Sequence, residues 1–259
     1  MKKIALPILL CCIVLSAAAQ KLPNKQETSI LAPATIKVDG KLDEWNDKLQ
    51  AYNDGSRVFY TLSNDSKNLY LALKTESRQG AEKALAGGIT LSLISPTDKK
   101  KKTDITYHAT AFNDAHDELT FLPKKFNDRL KEGNKHKMDS LVRVGNNMLG
   151  KFYKNIQVKG IKEIKDPIIP IYNTESIVVA ARLNNNMDYV YELAIPLKLL
   201  ADVFTPNGLV KYNLQVNAHG VVKNPGQFDP PMLRIDFLSN DDAYINYDTG
   251  FNSEYTLVK

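Results

Sequence analysis

Eight short segments of this chain alternate apolar and polar residues with a period of two, and that pattern restricts the fold more than any other feature. Val58, Tyr60 and Leu62 alternate with their neighbours, as do Leu69, Leu71 and Leu73, and then Ile89, Leu91 and Leu93. The pattern returns at Ile105 to Ala109, Ile177 to Ala181, Tyr189 to Ile195, Tyr212 to Val216 and Leu233 to Phe237. Successive strand side chains point to opposite faces, so this period marks strands with one face buried. The breaks carry turn chemistry: Asn64 to Asn68, Pro96-Thr97-Asp98, Asn184-Asn185-Asn186, Pro206-Asn207-Gly208 and Asn224-Pro225-Gly226. Many strands joined by short turns, without alternating helices, predict an antiparallel β-sandwich. Pro196 to Leu200 predicts one helical turn with proline at its start.

The first 19 residues read as a secretory signal peptide: a basic head with Lys2 and Lys3, an apolar run over Ala5 to Leu15, and the small residues Ala17-Ala18-Ala19 before Gln20. The expected mature chain is one domain over residues 20–259, exported to the periplasm or beyond, with no transmembrane segment. Leu10 before Cys11 is bulky where a lipid-anchored leader places a small residue. Both cysteines lie in this leader, so the expected mature chain has no disulfide, thiolate metal site or cysteine nucleophile. Removing Lys2 and Lys3 leaves 32 basic residues against 29 acids, a balance that gives no overall reason to bind nucleic acid.

One segment departs from the strand period. From Lys124 to Asp166 the spacing turns helical, through Phe126, Leu130, Met138, Leu141, Val142, Met148, Leu149 and Phe152, with Gly133-Asn134 as a break between two helices. It holds twelve Lys or Arg against five acids. Two readings stand: a solvated helical insertion packed by its apolar stripe, or a basic patch for an anionic partner. Lys99 to Lys102 form another basic run, expected at an exposed hairpin tip.

Catalytic motifs are missing. There is no G-x-S-x-G, H-E-x-x-H, phosphate loop or dinucleotide glycine fingerprint. His108, His116, His136 and His219 show no ligand spacing; Asp114, His116, Asp117 and Glu118 lie close enough in sequence to grip a metal and read more simply as a polar loop leaving a strand. Asn240, Asp241, Asp242 and Asp248 gather the hard oxygens that calcium prefers, without the order of an EF-hand, so a calcium site and a solvated loop both remain readings. Asn213, Gln215, Asn217 and His219 share one strand face, and Arg182, Glu192 and Arg234 hold polar positions on other strands. Planar amides and charged forks hydrogen-bond sugar hydroxyls; the same residues also suit the wet side of an antiparallel sheet.

Ile36-Lys37-Val38-Asp39-Gly40-Lys41-Leu42-Asp43-Glu44-Trp45 resembles the opening of family 9 carbohydrate-binding modules. Asn64 to Ala72 is similar to a hairpin of that family, Tyr191-Glu192-Leu193-Ala194-Ile195-Pro196-Leu197 to its strand running into Ala-Ile-Pro, and Glu254 to Leu257 to its closing strand. The resemblance implies a β-sandwich of the kind shared with DOMON domains, binding glycan or polysaccharide and sometimes holding calcium. It implies a DOMON-like haem carrier as a further reading, with Met187 or Met232 and His219 as axial ligands. Members that grip sugars do so between two tryptophans, and Trp45 is the only one here. In the opening motif, Asp39-Gly40 is expected to turn, Asp43 and Glu44 to follow it, and Trp45 to seal one end of the core. The expected function is that of an exported, non-catalytic carbohydrate-binding module. The alternative is a cell-envelope scaffold that meets an anionic partner through its basic segment.

Overall fold

The structure, a computed structural model, describes residues 21–46, 48–108, 122–131, 133, 135–218 and 244–259. The leader, the Asp114 to Glu118 cluster and the expected strand at Leu233 to Phe237 lie outside the described residues. Two six-stranded sheets pack face to face. The first runs β1 (Ile30–Leu31), β3 (Val58–Asn64), β4 (Asn68–Thr75), β10 (Tyr189–Pro196), β9 (Val178–Leu183), with β2 (Ala51–Asn53) also on β3. The second runs β12 (Thr249–Thr256), β11 (Leu209–Val216), β5 (Ile89–Ile94), β6 (Lys102–Tyr107), β7 (Asn155–Lys159), β8 (Ile168–Pro170). Every pairing is antiparallel except β1 with β3. The antiparallel β-sandwich expected from the alternation is therefore the observed fold.

Local chemistry sets the registers. In the β3–β4 turn, Asp65 Oδ1 accepts from the N–H groups of Lys67 and Asn68, each at 2.7 Å, so the carboxylate replaces backbone partners that the turn removes. The inner faces meet over Leu62, Leu71, Leu73 and Leu193 on one side and Leu91, Leu93, Ile105 and Leu214 on the other. The Tyr60 and Tyr212 hydroxyls meet at 3.0 Å across the sandwich, and Tyr60 Oη accepts from the Gln26 N–H at 2.8 Å. Burying these hydroxyls is tolerable because each has a partner.

Helices pack against strands of both sheets. Helix α1 (Arg78–Gly87) starts where Ser77 Oγ accepts from the Gly80 N–H at 3.2 Å, and it buries Ala81, Ala84 and Leu85 in the main core. The strand period does not anticipate α1. Its signal is helical: a serine cap, then apolar residues at i, i+3 and i+4. Helices α2 (Leu122–Lys131) and α3 (Lys135–Phe152) follow, burying Phe126, Val142 and Leu149. Among the described residues no helix is long and apolar enough to cross a membrane.

The expectation of a helical segment over 124–166 needs correction. Helix ends at Phe152, and Asn155–Lys159 is β7, an inner strand of the second sheet. Ile156 and Val158 alternate there and lie opposite Tyr107 and Ile105 of β6, buried with them. Two inward apolar residues are too short a run to announce a strand, and pairing with β6 decides the matter. The strand containing Ile105 is β6, Lys102–Tyr107, with Ala109 outside the described residues, and β9 begins at Val178. The helical turn after Pro196 is present at Leu197–Leu200.

Candidate ligand cleft

The opening motif lies on the outer face of the first sheet. Trp45, Leu42 and Leu49 pack on Ala72 of β4 and Val190 of β10, in an apolar cluster of their own. Trp45 is only 6% exposed, so its burial agrees with the sequence reading. Its place does not: it covers a sheet face and does not seal an end of the main core. One polar residue holds this cover in position. Glu192 of β10 lies between strands β4 and β9, opposite Ala72 and Ala180, and is 2% exposed. Its Oε2 accepts from the N–H groups of Asp39 at 3.0 Å and Gly40 at 2.9 Å. Burial pushes its carboxyl up to about 7, assisted by the charges of Asp39 and Glu44 and opposed by those two N–H donors. The assignment of Glu192 to an open ligand face is thus corrected: this carboxylate is internal and anchors the opening turn.

Gly40 sits in that turn with φ +78°, and a Cβ placed on it would meet Arg182 Cγ at 2.7 Å. A glycine is needed there for both the backbone and the close approach. The turn consequently brings Lys41 and Asp43 alongside Arg182 of β9. Helix α3 supplies the opposite wall. Asn146 reaches the edge strand β9, its Nδ2 donating to Leu183 O at 2.9 Å and its Oδ1 accepting from Leu183 N at 2.7 Å. The side-chain amide thereby satisfies an edge that would otherwise need another strand. Below it, Gly145 lets the helix approach, since a Cβ there would meet Leu183 Cδ1 at 2.6 Å. The third wall is the β9–β10 turn, where Asn184 Oδ1 accepts from the N–H groups of Asn186 and Asp188, each at 2.9 Å.

These three walls enclose a cleft of about 680 Å³, within the range of roughly 300–1,000 Å³ of small-molecule sites. Leu42, Val142, Leu183 and Val190 supply its apolar lining. Around them stand Arg143 and Arg182, Asp43 and Asp139, and the amides of Asn147, Asn185 and Asn186. Among the described residues, the side chains of Arg143, Arg182, Asp43 and Asp139 are engaged in no ion pair or hydrogen bond. Two fixed forks of donors thus share one concavity with two acceptors and an apolar floor. A ligand with hydroxyls that both donate and accept, and with an apolar ring face, matches that arrangement.

The residues grouped by sequence do not form one face. Arg182 and Glu192 belong to the outer side of the first sheet, while Gln215, Asn217 and Asp248 belong to the second sheet, on the far side of the sandwich. There Gln215 Nε2 donates to Asn217 Oδ1 at 2.7 Å and to Asp248 Oδ2 at 3.1 Å, and Asp248 Oδ1 accepts from the Ala218 N–H at 2.7 Å. Both oxygens of Asp248 therefore bond within the protein, against its use as a metal ligand. Its expected companions Asp241 and Asp242 lie outside the described residues, as do His219, Met232 and Arg234. Among the described residues no group of three or more His, Cys, Asp or Glu gathers as a metal site. Met187 is fully buried in the main core, at the β9–β10 turn. His108 is buried as well, stacked on Tyr153 at 3.6 Å with Nε2 2.8 Å from Leu85 O.

Asp139 and Asn147 were missed by sequence reading, and Arg143 was read only as a cation of the basic segment, although the signal of the three is plain. They recur every fourth residue, which places them on one helical face. Within a segment rich in cations that stripe reads as solvated surface until β9 is docked beside it. No family model matches the chain, and no curated protein matches its sequence.

Proposed function

We propose that this protein is an exported, non-catalytic carbohydrate-binding module, and that it takes a short stretch of glycan into the cleft between the opening turn, α3 and the β9–β10 turn. The observation that carries the reading is the set of disengaged side chains at Arg143, Arg182, Asp43 and Asp139 around an apolar floor. Sugar rings need both parts: hydroxyl edges for the forks and carboxylates, and a C–H face for Leu42, Val142 and Val190. The resemblance of Ile36 to Trp45 to a carbohydrate-binding family supports the same reading. Tryptophan is not the platform here, because the single Trp45 is buried under the turn it belongs to.

Titration of the mature chain with a panel of neutral and acidic oligosaccharides, followed by calorimetry on the best binder, tests this directly. Arg182→Ala and Asp139→Ala each weaken that binding by about tenfold or more, as expected for loss of a charge-assisted hydrogen bond. Their unfolding midpoints stay close to that of the parent, since both side chains are exposed. Equal binding by parent and both variants would place any sugar site elsewhere.

A further inference from the structure

On the far side of the sandwich we infer a second, separate site, built of lysines and made for a tetrahedral oxyanion: a sulfate or phosphate, free or esterified to a carbohydrate chain. Cross-strand register builds its floor. Lys211 of β11 lies opposite Ile94 of β5, and Ile94 opposite Lys102 of β6, so the two lysines flank one isoleucine in a single row. Two inter-strand spacings separate them, about 10 Å. The turn between β5 and β6 adds Lys99, and the N-terminal segment adds Lys25. All four line one concavity of about 650 Å³, together with Ser253 and a single carboxylate, Glu254.

The charge balance of this concavity is what calls for a ligand. Glu254 stands 3.6 Å from Lys211, and Lys102 is paired with Asp104 at 3.0 Å. Lys25 and Lys99 have no ion pair among the described residues. Of four cations that line one concavity from separate parts of the chain, two have an acid beside them and two, Lys25 and Lys99, have none among the described residues. Like charges gathered in this way repel one another, and a bound anion relieves them. The residue type narrows the anion. Arginine presents a planar fork matched to carboxylates, whereas ammonium groups are point charges on flexible stems, able to close on a tetrahedral group from several sides. The site holds four lysines and no arginine. In the cleft of the first sheet the arginine forks are accompanied by equal numbers of aspartates, so the two concavities select differently.

The experiment uses the full mature chain, with dextran sulfate oligomer as the chain-borne probe, unsulfated dextran oligomer of equal length as its control, and inorganic sulfate, inorganic phosphate and acetate as free ions. The sulfated oligomer binds, and its dissociation constant rises about tenfold or more from low to high salt as the lysines are screened. The triple variant Lys25→Gln, Lys99→Gln, Lys102→Gln loses that binding, while Arg182→Ala retains it, which separates this site from the cleft. Displacement of the oligomer by inorganic sulfate or phosphate, but not by acetate, supports a site that accepts the free ion. Resistance to all three ions, with binding still lost in the triple variant, supports a site for the ester on a chain. Circular dichroism confirms that the triple variant is folded. Binding of unsulfated oligomer as tight as that of the sulfated one, displacement by acetate as effective as by sulfate, or unchanged binding by the triple variant overturns the proposal.

Discussion

The two sheets share an inner core but treat their outer faces in opposite ways. Every residue of β10 is buried, and so is all of β3 except Phe59, because the first sheet is covered by the opening motif as well as by the second sheet. On the second sheet, β12 still alternates between exposed or half-exposed and buried positions. Its outer face is a lattice of short polar side chains: Thr90 with Thr106 at 2.8 Å, Asn213 with Asn252 at 3.1 Å, and Ser92 with Asp104. The covered face concentrates stability, and where its cover meets α3 the molecule leaves uncommitted polar groups in a cleft. The open face satisfies most of its hydrogen bonds internally and concentrates charge at one end. Coverage and ligand capacity are thus two consequences of how a sheet face is closed.

The largest test of this contrast is Trp45→Ala, which should cost about 3–5 kcal/mol in urea unfolding, the loss expected for truncating a buried aromatic. A variant as stable as the parent would show that the cover on the first sheet is dispensable. Next comes the pH dependence of Glu192. Its carboxyl titrates near 7 in the folded protein against an ordinary value of 4.5. Between those values the folded state holds a proton that the unfolded state has released, so this group's contribution to stability declines as pH rises through that window. The limiting slope for one group is about 1.4 kcal/mol per pH unit. Urea midpoints measured across the window should fall less steeply with rising pH in Glu192→Gln than in the parent, and parallel profiles would contradict the role given to Glu192.

Gly40→Ala is expected to be milder, about 1–2 kcal/mol for placing a Cβ at positive φ, plus whatever Arg182 requires in moving aside. It should also weaken ligand binding in the cleft, because the displaced side chain is Arg182. On the open face, Asn213→Ala should cost less than about 1 kcal/mol, since a surface hydrogen bond exchanges readily for water. A loss there comparable to that of Trp45→Ala would erase the distinction between the faces.

The legibility of the chain follows the same division. Alternation is clear in β5, β6 and β11 of the second sheet, where one face meets water, and the closing strand is marked at Glu254 to Leu257 by resemblance alone. It also locates β3, β4 and β10, because apolar residues fill their inward positions. It does not reveal that Thr61, Ser63 and Glu192 on the other face are buried too, since a polar residue under a distant cover looks the same in sequence as one in water. The cleft was half legible. Arg182, Asp43 and Gly40 stand out, whereas Asp139 and Arg143 acquire meaning only beside β9. Grouping Arg182 with Gln215 and Asn217 failed because alternation gives the face of each strand without saying which sheet it joins.

By itself, then, the sequence determined the class of fold, the inward half of seven of the twelve described strands, the turn at Asp39-Gly40 and the burial of Trp45. Periodicity and turn chemistry are local, and local rules suffice for these. Tertiary structure alone decided that Ile156 and Val158 make a strand, that Glu192 anchors a turn about 150 residues earlier in the chain, and that four scattered lysines share one concavity. Such facts depend on which strands become neighbours. That choice is made by long-range packing of apolar faces, whose energy is non-directional and leaves no mark at any single residue.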